Sequence, residues 1–128
     1  MDNKELFKIA EGMLDKAYVP YSKFHVGVAL VTKDGQVFTG CNIENASYGV
    51  TICGERTAFV KAISEGHREF EKIVIASSGG KAWPCGICRQ FMLEFCDDDF
   101  QIISGDDENS LEVLTLVDII PRGFKLEP

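Results

Sequence analysis

Apolar residues recur near the N-terminus at Leu6, Ile9, Ala10, Met13, Leu14 and Ala17. Steps of three and four place them along one stripe of a helix. Asp2, with Glu5 three residues on, suits a capping box at its start, and Pro20 closes the region. The period then drops to two. Over residues 26–32, Val26, Val28 and Leu30 fall on one face and Gly27, Ala29 and Val31 on the other. Two apolar faces predict a central strand. Asp34-Gly35 predicts a hairpin turn, with residues 36–40 as the returning strand.

Residues 41–52 are rich in Asn, Ser, Gly and Tyr, lack a period, and read as a loop. Cys53 opens a second helix, with Ala58, Phe59, Ala62 and Ile63 on its buried side and Gly66 as its stop. Residues 72–77 carry the unbroken run Ile73-Val74-Ile75-Ala76, the pattern of a strand covered on both faces. Ser78-Gly79-Gly80 is a turn, and Pro84-Cys85-Gly86 leads into a third helix with Phe91, Met92 and Phe95 inward. Strands follow over residues 100–103 and 111–115, then a short helix over 116–120 stopped by Pro121. Strands alternating with helices predict an α/β layered fold with a mixed sheet. At 128 residues the chain suits one domain, spanning 1–128.

Composition narrows the function. With 45% apolar and 26% charged residues the chain is ordinary globular material. Its net charge of −7, without a run of Lys or Arg, argues against nucleic acid and for a small neutral ligand. No apolar stretch approaches the roughly 20 residues of a membrane span. The start Met1-Asp2-Asn3-Lys4-Glu5 does not resemble a signal peptide. Five cysteines, two of them spaced Cys-x-x-Cys, fit a reduced metal-binding protein of the cytoplasm better than a disulfide frame. The small size also leans towards an oligomer.

The chemistry concentrates in Cys53-Gly54-Glu55-Arg56 and Pro84-Cys85-Gly86-Ile87-Cys88-Arg89. Three thiolates make the ligand count of a catalytic zinc with one open position. Both segments begin helices, whose N-terminal N–H groups favour thiolates. Glu55, two residues after Cys53, is placed to handle protons. Three thiolates leave Zn²⁺ with a net charge of −1, so Arg56 and Arg89 are expected, one or both, to hydrogen-bond the sulfurs and drain that charge. Two other readings stay open. Cys41, Cys96, His25 or His67 as a fourth ligand would make a structural zinc site, and Cys85 with Cys88 alone would make a thioredoxin-like redox pair. Cys41 and Cys96 otherwise read as buried apolar residues.

Cys-x-Glu…Pro-Cys-x-x-Cys resembles the pattern of zinc-dependent base deaminases. Val19-Pro20-Tyr21-Ser22-Lys23-Phe24, Gly40-Cys41-Asn42-Ile43-Glu44-Asn45-Ala46-Ser47-Tyr48 and Cys53-Gly54-Glu55-Arg56-Thr57-Ala58 extend the likeness to the small cytidine deaminases, from Tyr18 to Phe124. The resemblance implies a three-layer α-β-α fold with a five-stranded mixed sheet, one Zn²⁺ per subunit, and a homotetramer with shared active sites. It implies that Cys53, Cys85 and Cys88 hold the zinc and that Glu55 shuttles protons during deamination of cytidine or deoxycytidine in pyrimidine salvage. Asn42 and Glu44 would bind the ribose, Phe24 would pack on the nucleoside, and the Gly54 backbone would meet the base. Ala46, Tyr48 and Phe124 would serve a neighbouring subunit's site. One departure stands out: Gly54, where the family more often has Ala. The rival functions are a blasticidin-type deaminase, a nucleic-acid editor, disfavoured by charge, and a non-enzymatic zinc module.

Overall fold

A computed structural model describes all of residues 1–128. Its elements run α1 (Asn3–Glu11), β1 (Val26–Thr32), β2 (Val37–Cys41), α2 (Gly54–Ser64), β3 (Phe70–Ser77), α3 (Gly86–Phe95), β4 (Gln101–Ser104), β5 (Glu112–Thr115) and α4 (Leu116–Ile119). The five strands form one sheet in the order β2-β1-β3-β4-β5. β1 is antiparallel to both β2 and β3, β3 is parallel to β4, and β5 returns antiparallel.

The alternation in the apolar runs sorts side chains between two cores. Val28 and Leu30 of β1, Ile73 and Ile75 of β3, and Ile102 of β4 pack with Ala58, Phe59 and Ala62 of α2 and Met92 of α3. Their neighbours Ala29, Val31, Val74, Ala76 and Ile103 face Leu6, Phe7 and Ala10 of α1. The result is the expected three-layer mixed sheet. Phe59, fully buried, anchors α2: its ring meets Phe70 edge-on at 4.9 Å and lies 6.1 Å from Phe100. Each such aromatic pair adds about 0.5–1.5 kcal/mol beyond its burial.

β2 and α2 approach so closely that a Cβ at Gly40 would collide with the Gly54 carbonyl and the Ala58 nitrogen. Gly40 therefore sets how deeply the N-terminus of α2 sits against the sheet.

The first helix is shorter than its apolar stripe. The capping box at Asp2 forms as expected, but α1 ends at Glu11 and Gly12 caps it. Glycine is the worst helix former after proline, so the helix breaks there. Leu14 instead opens a short 3-10 turn, Leu14–Lys16, and its carbonyl accepts a 2.7 Å hydrogen bond from His25 Nδ1. The aperiodic loop after β2 is tied rather than free: Ile43 bridges both Tyr18 and Ile52.

Candidate metal centre and pocket

Cys53 is the N-cap of α2, Cys85 the N-cap of α3, and Cys88 lies in the first turn of α3. Two helix N-termini thus converge. The three Sγ atoms lie within 4.8 Å of one another, Cys53 and Cys85 at 3.7 Å, and all five cysteines are free. No further His, Cys, Asp or Glu joins the group. Cys41 and Cys96 are buried elsewhere, His25 is engaged by Leu14, and His67 packs edge-on to Phe38 at 5.1 Å. The chain therefore assembles three sulfur donors and no fourth ligand. That set fits a zinc ion with an open coordination position.

The sulfurs are not equivalent. Hydrogen bonds from the Cys88 thiol and from Arg56 pull the Cys53 thiol down to about 5 against its burial. Cys88 is pushed upward, chiefly because its proton is held by Cys53 and it is buried. Arg56 Nη2 lies 3.5 Å from Cys53 Sγ and 3.1 Å from the Thr51 carbonyl. Its Nε is buried without a partner in the chain. Arg89 takes another role: Nε donates to the Pro84 carbonyl at 2.7 Å and Nη1 to the Ile119 carbonyl at 2.9 Å. Of the two arginines, Arg56 reaches a sulfur, while Arg89 braces the backbone before Cys85.

Glu55 is only 6% exposed. Burial, reinforced by the Cys53 charge, raises its carboxyl to about 7 against its own backbone hydrogen bond. A carboxyl tuned near neutrality can both take and return a proton.

These groups floor a cavity of about 190 Å³. Cys53, Gly54, Glu55 and Cys85 line one part, and Asn42, Glu44 and Thr51 supply polar groups. Phe24, Val26, Ile75, Ala82 and Trp83 form the apolar walls. Glu44 accepts from the Tyr21 and Ser22 nitrogens, both at 3.1 Å, and from the Ser22 hydroxyl, which holds its carboxyl below the usual range. Asn42 ties the same loop from below, donating to the Phe24 carbonyl at 2.8 Å and accepting from Val26 N at 2.9 Å. A Cβ at Gly79 would press on the Phe24 ring, so that glycine seats the wall. At Gly54 a Cβ would lie 3.2 Å from Val28 Cγ2 and 3.3 Å from Val26 Cγ1, so these valines fill the space an alanine would need.

A shallower groove of about 450 Å³ adjoins, sharing Glu44 and Thr51 and adding Tyr21, Ser22, Asn45 and Tyr48. Ala46 is exposed and Phe124 is 66% exposed; within one chain neither lines the cavity.

The family model for the cytidine and deoxycytidylate deaminase zinc-binding region matches residues 1–104. A cytidine deaminase of Halalkalibacterium halodurans is 46% identical over 128 residues, covering 99% of this chain and 97% of its own. The chain belongs to the cytidine deaminase family. A crystal structure of the cytidine deaminase from Burkholderia pseudomallei superposes with a TM-score of 0.90 at 42% identity, covering 97% of this chain and 100% of that one. A blasticidin-S deaminase of Bacillus cereus stands further off, 30% identical over 129 residues, 94% of this chain and 90% of its own. The zinc-binding character of the cytidine deaminase family agrees with the three-sulfur cluster.

Sequence reasoning missed the wall residues Val26, Ile75, Ala82 and Trp83 and the polar Thr51. Only Trp83 left a trace, as a large aromatic directly before Pro84-Cys85.

Proposed function

We propose that this chain catalyses the hydrolytic deamination of cytidine or deoxycytidine, releasing ammonia and leaving uridine or deoxyuridine. The observation that carries it is the buried Glu55 carboxyl lining the same cavity as two of three converged sulfurs, with Asn42 and Glu44 among the other lining groups. Cys53, Cys85 and Cys88 hold Zn²⁺, one ion per subunit. An ion held by them would lower the pKa of a water and so supply a nucleophile at neutral pH.

The protein's own groups do the rest. Glu55 takes one proton of the attacking water and carries it to ring N3, then takes the second from the new C4 hydroxyl and delivers it to the departing amine. The water oxygen ends on C4, and the C4–N4 bond breaks. Arg56 donates to the Cys53 sulfur and draws charge from it, which would offset the negative charge of three thiolates around a bound ion. Asn42 and Glu44 receive the sugar hydroxyls, Phe24 covers the nucleoside, and the Gly54 backbone meets the base. Neither the cavity nor the adjoining groove is lined by Lys or Arg, and Glu44 would repel a phosphate; a nucleoside suits the site better than a nucleotide.

The whole of residues 1–128 acts as one catalytic unit, and a homotetramer completes it. Ala46, Tyr48 and Phe124 then face a neighbouring subunit's site, in keeping with their exposure. No helix is long and apolar enough to cross a membrane. Five free thiols suit the reducing cytoplasm, where a free nucleoside substrate fits pyrimidine salvage.

An ultraviolet assay of cytidine and deoxycytidine, with zinc quantified on the same sample, tests the reading. Turnover of either nucleoside with about one zinc per chain supports it. A zinc-loaded protein that deaminates blasticidin S but neither nucleoside would replace it with the antibiotic-directed reading.

A further inference from the structure

We infer that Trp83 sets how large a substituent the reacting edge of the pyrimidine, C5 and the exocyclic nitrogen, can carry. The inference deepens the nucleoside reading above and rests on it.

Trp83 lines the cavity two residues before Cys85 and packs against the core between the sheet and α2–α3. The chain on either side of it is pinned. Ala82 N donates to Ser104 Oγ at 3.0 Å, and that fully buried hydroxyl donates onward to the Ile75 carbonyl at 2.8 Å. Lys81 N bonds Asp106 Oδ1 at 2.9 Å, and Arg89 holds the Pro84 carbonyl. A wall fixed on both sides yields little to an incoming group.

The reacting carbon must sit where Glu55, Cys53 and Cys85 meet the cavity, and the sugar beside Asn42 and Glu44. A wall adjoining Cys85 therefore borders the base edge that bears the reacting carbon, not the sugar. An extra methyl on that edge meets a rigid indole. A single methyl group in an apolar pocket changes selectivity about 10- to 200-fold.

The test compares kcat/KM for cytidine, 5-methylcytidine, N4-methylcytidine and deoxycytidine in wild type, W83S and W83F. In W83S the ratio of a methylated substrate to cytidine rises by at least about tenfold, while the deoxycytidine-to-cytidine ratio, set at the sugar end, stays within about twofold. W83F keeps an aromatic against the core and shifts the same ratio by about threefold; it decides the matter should W83S fail to fold. Trp83 is the sole tryptophan, so uridine titrated into the zinc-loaded wild type should change the intrinsic emission saturably. Cytidine and deoxycytidine both left untouched by the wild type would bring down the nucleoside reading itself. Normal cytidine turnover with unmoved ratios in the folded variants, or emission indifferent to saturating uridine, overturns the role of Trp83 alone.

Discussion

At the scale of single residues, two carboxylates of this site receive opposite treatment. Glu44 is held charged by the Ser22 hydroxyl and two backbone nitrogens, while Glu55 is pushed towards neutrality by burial. In the proposed reaction Glu44 grips the sugar and Glu55 exchanges the proton. Glu55→Gln keeps the shape but cannot shuttle, so turnover should fall by about 10²–10⁴-fold with zinc content retained. Steady-state rates beside metal analysis check this. Arg56→Ala should weaken zinc binding or activity by about 10–100-fold, read by competition with a chelator; unchanged affinity and rate would remove its role at the sulfurs. Away from the site, burial and the adjacent Asp97 charge raise Cys96 to about 12. The folded chain therefore keeps that proton while the unfolded chain loses it above pH 9. The stability contributed is complete below pH 9 and is lost as pH rises towards 12, by about 4 kcal/mol at most. In urea melts, the deficit of Cys96→Ala relative to wild type should shrink across that window.

Among the elements, β1 and β3 were the most legible because a strand covered on both faces leaves a nearly unbroken apolar run in the sequence. Residues 26–32 came out with the bounds expected, and the Cys53 and Cys85 segments open helices as read. The first helix was overextended because the apolar stripe runs on past Gly12, and the stripe alone does not register where glycine breaks the helix. Arg89 adjoins the Cys-x-x-Cys pair in sequence, yet its reach is decided by carbonyls at Pro84 and Ile119, the second of which only the docking of α4 supplies. Trp83 and Thr51 escaped notice for a related reason. Which side of a loop faces a cavity is a tertiary fact with no periodic trace. Packing between elements also yields a sharp expectation. Gly40→Ala should cost about 1–3 kcal/mol by forcing β2 and α2 apart, and zinc content should fall with it because Cys53 caps α2. Thermal melts with metal quantification would show it; a silent substitution would mean α2 can shift freely.

For the whole molecule, the large apolar side chains left outside are the informative ones. Tyr18, Tyr21, Tyr48 and Val50 are all more than half exposed, as is Phe124 near the other end of the chain. Contiguous exposed apolar surface is where protein interfaces and ligand grooves form, and Tyr21 and Tyr48 already line the groove beside the cavity. In the proposed tetramer the Phe124 ring belongs to a neighbour's cavity. Phe124→Ala should therefore raise KM or lower kcat several-fold while leaving the unfolding midpoint of a single subunit nearly unmoved. Kinetics and size-exclusion chromatography would separate a lost contact from lost assembly.

The five thiols have a consequence for handling. Three converge in the folded chain, where β3 lies between β1 and β4, while Cys41 and Cys96 are buried away from them. A denatured chain offers all five at once, and oxidation or stray metal capture at that stage would lock in partners the native state never joins. Recovery from denaturant therefore calls for strong reductant first, with metal added only once the sheet has closed.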